Sequence, residues 1–228
     1  MKILDVKQGG VDWFNARLGR PTASMFSTIV TPGGKRTENE ARETYRAELC
    51  QERLTGNVTD HGISDKYAVE RGKDLEPRAR AFYTLETKRD VRQVGFCQDD
   101  AGRWGYSPDG LCEDRTIEIK CPVGAKMLKK LLAAPQDAAK EYVVQCQGGL
   151  FVTGFAACDL VLFTDVAGVP NRIITLARDE KMMQAFAVEL PFFCDELDRD
   201  EKLIRAMGGG VDIGTGLVDS SSFFGLDK

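Results

Sequence analysis

Two short stretches hold the residues best placed to do chemistry: Ser107-Pro108-Asp109-Gly110 and, eight residues after Gly110, Glu118-Ile119-Lys120. Pro-Asp-Gly is turn composition, so Asp109 is expected at a bend just after a strand. The run TIEIKC (116–121) alternates apolar and polar residues. As a strand it turns Ile117 and Ile119 to one face and Glu118 and Lys120 to the other. A hairpin between the two stretches brings Asp109 beside that polar face. Two converging carboxylates form an oxygen site suited to Mg²⁺ or Mn²⁺. A lysine next to them can orient or deprotonate a water, or stabilise charge on a phosphate, which is the equipment of metal-assisted phosphodiester hydrolysis. The competing reading is an ordinary surface hairpin with a Glu118–Lys120 ion pair, since such short patterns also arise by chance.

Composition narrows the alternatives. The 228 residues contain a single histidine, His61, which removes Ser-His-Asp and Cys-His catalysis unless His61 is the base, and removes poly-histidine zinc sites. His61 lies in a Thr-Asp-His-Gly loop and is assigned no role. The seven cysteines (50, 97, 112, 121, 146, 158 and 194) form no CxxC pair and read as reduced, buried thiols. The 31 Lys and Arg against 35 Asp and Glu give a net charge of −4, but residues 1–130 hold 23 basic and 20 acidic side chains and residues 131–228 hold 8 and 15. A mildly basic first part therefore permits a polyanionic partner. The longest uncharged apolar stretch, Tyr142 to Cys158, carries Gln145, Gln147 and several glycines and is not a membrane span. The opening MKILDVKQGG lacks the long apolar segment of a signal peptide, so an intracellular, cytoplasmic protein is expected, with no membrane partner.

The elements that must position these residues read as one compact α/β domain over 1–207, with a Gly/Ser-rich C-terminal tail over 208–228. A first helix carries Trp13, Phe14 and Leu18, a Gly-Arg-Pro turn follows, and Thr22 or Ser24 caps a second helix. Residues 38–55 and 66–87 form helices, the second with Pro77 marking a start near Leu75 or a kink. Strands are expected over 91–97, 104–107, 116–121, 158–165 and 171–177, the last two paired. Helices are expected over 124–132, 138–152 and 179–207, the last interrupted at Pro191.

Taken together, SPDGL followed by IEIKCP resembles the nuclease signature of the phage lambda exonuclease family, the YqaJ-like recombinases, within the PD-(D/E)xK nuclease fold. Three further blocks share the resemblance: Trp13 to Ser24 (W-x-x-x-R-x-G-x-x-T-A-S), Arg71-Gly72-Lys73 with Glu76 and the 79–83 run, and the helix from Tyr142 to Phe151. The resemblance covers roughly residues 11–200. It implies a central mixed β-sheet flanked by helices and an Mg²⁺-dependent 5′→3′ exonuclease, with two ions per site and Mn²⁺ as a possible substitute. Such an enzyme degrades linear double-stranded DNA to mononucleotides and leaves 3′ overhangs for single-strand annealing. It further implies a ring-shaped homotrimer on DNA ends, working beside an annealing recombinase for which the acidic tail is one candidate docking element.

By the same resemblance, Asp109, Glu118, the carbonyl of Ile119 and Glu76 serve metal ions, Lys120 positions the attacking water, and Gln147 is the active-site glutamine, with Gln145 the lesser candidate. Arg17, Ser24 and Ser107 match a pocket for the 5′-phosphate. Read without it, Arg17 is a surface arginine lying along apolar neighbours and Ser24 a helix cap. Where the family's loop has an arginine after its proline, this chain has Gly33 after Pro32, leaving Lys35 or Arg36 to reach the phosphate. Val69 stands at the position of a hydrophobic wedge and is equally a core residue. Lys126, Lys129 and Lys130 line a DNA groove or form a solvated helix face. The alternatives to the exonuclease are a PD-(D/E)xK endonuclease of restriction or junction-resolving type, and an inactive DNA-binding recombination scaffold.

Overall fold

A computed structural model describes residues 1–59 and 66–208, the first four of the latter by backbone alone. His61, the Val69 side chain and residues 209–228 lie outside the described residues. The element order is β1 (Lys2–Leu4), α1 (Val11–Arg17), a 3₁₀ turn (Ala23–Thr28), α2 (Glu40–Thr55), α3 (Lys66–Thr87), β2 (Phe96–Gln98), β3 (Gly105–Tyr106), β4 (Gly110–Leu111) and β5 (Arg115–Lys120). There follow α4 (Ala125–Ala133), α5 (Pro135–Ala139), a second 3₁₀ turn (Lys140–Tyr142), α6 (Val143–Thr153), β6 (Ala157–Leu162), β7 (Arg172–Ala177) and α7 (Glu180–Gly208).

The strands form a mixed sheet in the order β4-β5-β6-β7 and a smaller antiparallel sheet in the order β1-β2-β3. In the mixed sheet β5 and β6 are parallel, with Glu118 opposite Leu160, while β4 and β7 flank them antiparallel. A parallel pair needs a long crossover, and α4 to α6 supply it. The alternation expected for β5 holds. Ile117 and Ile119 pack with Leu75, Ala79 and Tyr83 of α3, so Glu118 and Lys120 face the other side.

Local signals account for α2: the Asn39 side chain accepts from Arg42 N at 3.0 Å and Gly56 ends the helix with φ 71°. Neither proline breaks its helix. α3 runs through Pro77 and α7 through Pro191. In α7, Phe186, Leu190, Phe193, Cys194 and Leu197 are all inaccessible to solvent, and burial of that stripe outweighs the lost backbone hydrogen bond. The expected strand at 91–97 is regular only from Phe96, and β1, absent from the expectations, pairs with it across more than 90 residues.

One close approach decides where α6 sits. A Cβ at Gly148 would lie 2.6 Å from the Phe26 ring and one at Gly149 would lie 2.8 Å from the Tyr106 ring. The two glycines let α6 lie directly on the first 3₁₀ turn and on β3, which brings the start of α6 over the polar face of β5.

Candidate active site

The β4–β5 hairpin places Asp109 beside β5: its amide donates to Ile117 O at 3.2 Å and its Oδ2 accepts from Ile119 N at 2.6 Å. Glu118 is almost wholly buried, yet each of its oxygens has a partner. Tyr106 Oη donates to Oε2 at 2.8 Å, and Oε1 accepts from Gln145 Nε2 and from Lys120 Nζ, the latter at 2.9 Å. Lys120 also lies 5.5 Å from the Tyr142 ring centroid. Glu76, one helix away on α3, accepts from Arg80 Nη1, and the same nitrogen donates to Asp109 O at 3.1 Å. Arg80 thereby ties α3 to the Asp109 turn.

The glutamine expectation is corrected here. Gln147 is buried on the opposite side of α6, where its Nε2 donates to Ala177 O at 2.7 Å and its Oε1 accepts from Asp179 N at 2.9 Å. Residues two apart on a helix point about 200° from one another, so only one of the pair can face β5. Gln145 is that residue.

Electrostatics sharpen the picture. Burial raises the Asp109 carboxyl well above the ordinary aspartate range, and the charges of Glu118 and Glu76 add to the rise against the opposing effect of Lys120. Lys120 is raised as well: burial alone would lower it, but Glu118 and Asp109 outweigh that, so it stays an ammonium. Tyr106, buried beside Glu118, is likewise held protonated as a donor. Among the described residues no three His, Cys, Asp or Glu side chains form a ready-made metal cage. The donors present are two carboxylates and a third across the groove. That sparse, mutually repelling oxygen set fits Mg²⁺, which keeps several waters of its own.

A second polar cluster forms on the same turn. Arg17 Nη1 donates to Ser107 Oγ at 3.0 Å and Nη2 points to Thr22 Oγ1 at 3.5 Å, while Thr22 Oγ1 and Ser24 Oγ lie 3.2 Å apart. Trp13 Nε1 also donates to Ser107 Oγ, at 2.9 Å, and its ring lies 4.5 Å under the Arg17 guanidinium. Arg17, Ser24 and Ser107 thus come together as expected, and Trp13 and Thr22 join them. Burial lowers the Arg17 pKa, and among the described residues no carboxylate lies within ion-pair distance of it. A half-buried guanidinium ringed by hydroxyls, with Glu52 acting on it only at a distance, suits an anion.

Two cavities meet at this centre, sharing Lys73 and Glu76. One of about 930 Å³ runs past Asp109 and Pro108 to Trp13 and Phe14, and the other, of about 470 Å³, opens past Lys120 to Tyr142 and Met127. Arg36 is not part of them. Its guanidinium pairs with Glu189 of α7 at 2.5 Å and lies 3.8 Å over the Phe192 ring. That long-range pairing replaces the expected phosphate contact. Lys35 is exposed on the neighbouring turn. On α4, Lys130 pairs with Glu141, while Lys126 and Lys129 face solvent.

Comparison with known proteins gives a family match and similar solved structures. The model of the YqaJ-like viral recombinase domain matches residues 12–156, a span that contains every residue of both clusters. An alkaline exonuclease (LHK-Exo) from Laribacter hongkongensis is similar at a TM-score of 0.75 and 30% identity, over 88% of this chain and 99% of that one. LHK-Exo in complex with dAMP is similar at 0.75 and 31%, with the same coverage. A phage related exonuclease from Haemophilus somnus 129PT shares the fold, at a TM-score of 0.63 and 13% identity over 90% and 97% of the two chains. No curated protein matches.

Proposed function

This chain belongs to the YqaJ-like viral recombinase family, and from that premise we propose that it is an Mg²⁺-dependent exonuclease of the PD-(D/E)xK type that digests linear double-stranded DNA from its 5′ ends. Similarity to alkaline exonucleases supports the nuclease role. The finer reading is carried by one observation: the anion cluster and the carboxylate cluster grow from a single turn, Ser107-Pro108-Asp109. A terminal phosphate held at Ser107 and Arg17 sets the register of the strand against Asp109, two residues away. Such an end-anchor has no use in cutting the interior of a duplex.

In this reading Asp109 and Glu118, with the Ile119 carbonyl and Glu76, would hold two divalent ions, which would supply charge neutralisation at the scissile phosphate and a more acidic water. The chain's own residues do the rest. Tyr106, Gln145 and Lys120 fix the Glu118 carboxylate by three hydrogen bonds. Lys120, beside Glu118 at 2.9 Å, donates to the attacking water or to a phosphate oxygen. Arg80 holds Glu76 and the Asp109 turn together. Arg17, Ser107, Ser24 and Thr22 supply charge-assisted and neutral hydrogen bonds to the 5′-phosphate.

Release of mononucleotides, a spared 3′ strand, assembly as a homotrimer and cooperation with a single-strand annealing recombinase in the cytoplasm complete the proposal. No described helix is long and apolar enough to cross a membrane. The test is digestion of a linear duplex bearing 5′-phosphate or 5′-hydroxyl ends, beside covalently closed circles, with Mg²⁺ or with EDTA. We expect mononucleotides from linear DNA with Mg²⁺ alone, faster from phosphorylated ends, and intact circles. Cutting of the circles would instead favour an endonuclease, and no degradation under any condition would leave only a binding scaffold.

A further inference from the structure

The 470 Å³ cavity shares only Lys73 and Glu76 with the larger one that reaches Trp13, and the proposed exonuclease function assigns it no occupant. α3 contributes Gly72, Lys73 and Glu76 to it, β5 and the following turn Ile119 to Val123, and the crossover Met127 and Tyr142. Its volume falls in the range of small-ligand sites, about 300–1,000 Å³. Its two walls differ in chemistry. One is apolar and aromatic: Tyr142, Met127 and Val123 are half-buried, with part of each side chain facing the cavity. The other carries Lys73, whose ammonium makes no hydrogen bond or ion pair among the described residues and which lines both cavities. An aromatic ring and a cation lining one cavity, beside Glu76 and Lys120 of the acidic centre, are the pairing a nucleotide requires, with the base on the ring and the phosphate on the ammonium.

Strand polarity then follows from position. Trp13, which shares the Ser107 hydroxyl with Arg17, lines the 930 Å³ cavity together with Pro108 and Asp109, so a terminal nucleotide anchored at that cluster lies along this cavity and its 3′-phosphate reaches Asp109. Chain continuing in the 3′ direction leaves the carboxylates on the opposite side, where the smaller cavity opens. We propose that this cavity is the subsite for the nucleotide immediately 3′ of the scissile phosphate, with Tyr142 stacking under its base and Lys73 facing its phosphate. The proposal rests on the exonuclease reading. It adds that cleavage depends on the second base of the strand being present, whatever its identity, because every base has a π-face.

The experiment measures single-turnover release of the first nucleotide from a 5′-phosphorylated duplex, intact or with an abasic site at the second nucleotide. Wild type, Tyr142→Ala and Tyr142→Phe are compared in Mg²⁺, with thermal melts to establish folding. We expect the abasic site to slow wild type roughly tenfold, the order of one base–aromatic stack. Tyr142→Ala should slow the intact substrate by a similar factor and be slowed little further by the abasic site, and Tyr142→Phe should restore the wild-type pattern. Equal slowing of wild type and Tyr142→Ala by the abasic site would overturn the subsite. That is the pattern of a ring acting only through its contact with Lys120. If Tyr142→Ala does not fold, indifference of wild type to the abasic site is enough to overturn it. Wild type that releases no nucleotide from either substrate would overturn the exonuclease reading itself, which separates the two failures.

Discussion

The side-chain amide of Gln145 donates to Glu118 Oε1, while Gln147, two residues along the same helix, bonds only to the backbone of Ala177 and Asp179. α6 therefore carries one glutamine for the site and one for the fold, and the two are separable by substitution. The Glu118 carboxylate is nearly inaccessible, so its orientation depends on Gln145, Tyr106 and Lys120 and not on water.

Gln145→Ala removes a hydrogen bond to a charged, buried acceptor. Such bonds contribute about 1.5–3 kcal/mol to stability, so we expect a melting temperature several degrees below wild type and, because the Glu118 carboxylate loses its orientation, a fall in nucleotide release per folded molecule of roughly tenfold or more. Gln147→Ala should lower stability alone. It leaves the Ala177 carbonyl and the Asp179 amide, both on exposed residues, without their side-chain partner at about 1 kcal/mol, while leaving the rate per folded molecule unchanged. Melts and single-turnover rates on both variants check this, and a rate defect confined to Gln147→Ala would restore that residue to the site.

Asp109 predicts an uncommon pH signature. Its folded pKa is raised, so once pH passes about 4 the native state holds a proton that the unfolded chain has lost. The stability from this group is full below the ordinary aspartate range and falls as pH climbs through the raised value. In EDTA, Asp109→Asn should melt several degrees above wild type at pH 8, given that about 1 kcal/mol moves a domain of this size by ~2–4 °C. The gap should close toward pH 5. Equal melting at both pH values would refute the raised pKa. The same variant should lose Mg²⁺-dependent digestion.

Arg17 stands among hydroxyls and an indole with no ion-pair carboxylate, so its contribution should appear only when the DNA end carries a phosphate. Arg17→Lys keeps the charge but loses the planar fork. We expect the preference for phosphorylated over hydroxyl ends to shrink by roughly tenfold or more, mainly through slower digestion of the phosphorylated end. Unchanged preference in initial-rate assays would remove the phosphate from this cluster.

Arg36, by contrast, is held on α7 by Glu189 and Phe192. Arg36→Ala should leave digestion of both end types unaltered. It should cost at most about 1 kcal/mol in a denaturant melt, the scale of a partly exposed ion pair. A clear loss of DNA affinity in Arg36→Ala would show that the pair opens for substrate.

What the chain's residues determine by themselves is local. Asp109, Glu118 and Lys120 were legible because a Pro-Asp-Gly bend and a period of two along a strand are enforced by adjacent backbone, so neighbours in sequence stay neighbours in space. Arg17, Ser24 and Ser107 could be named only by resemblance, since 90 residues separate Arg17 from Ser107 and no spacing rule joins them. Tertiary packing decided the rest. Both glutamines of α6 suit the site chemically, and the choice of Gln145 follows from helix phase once Gly148 and Gly149 let the helix press onto Phe26 and Tyr106. Tyr106 is chosen as the donor to Glu118 by the same approach. Pro191 lies within an unbroken helix because burial of partners distant in sequence outweighs one lost hydrogen bond. Arg36 is drawn from the expected phosphate contact by a carboxylate 153 residues away. Turn and strand chemistry act over a few residues, whereas helix rotation and ion-pair choice are settled only when distant surfaces meet.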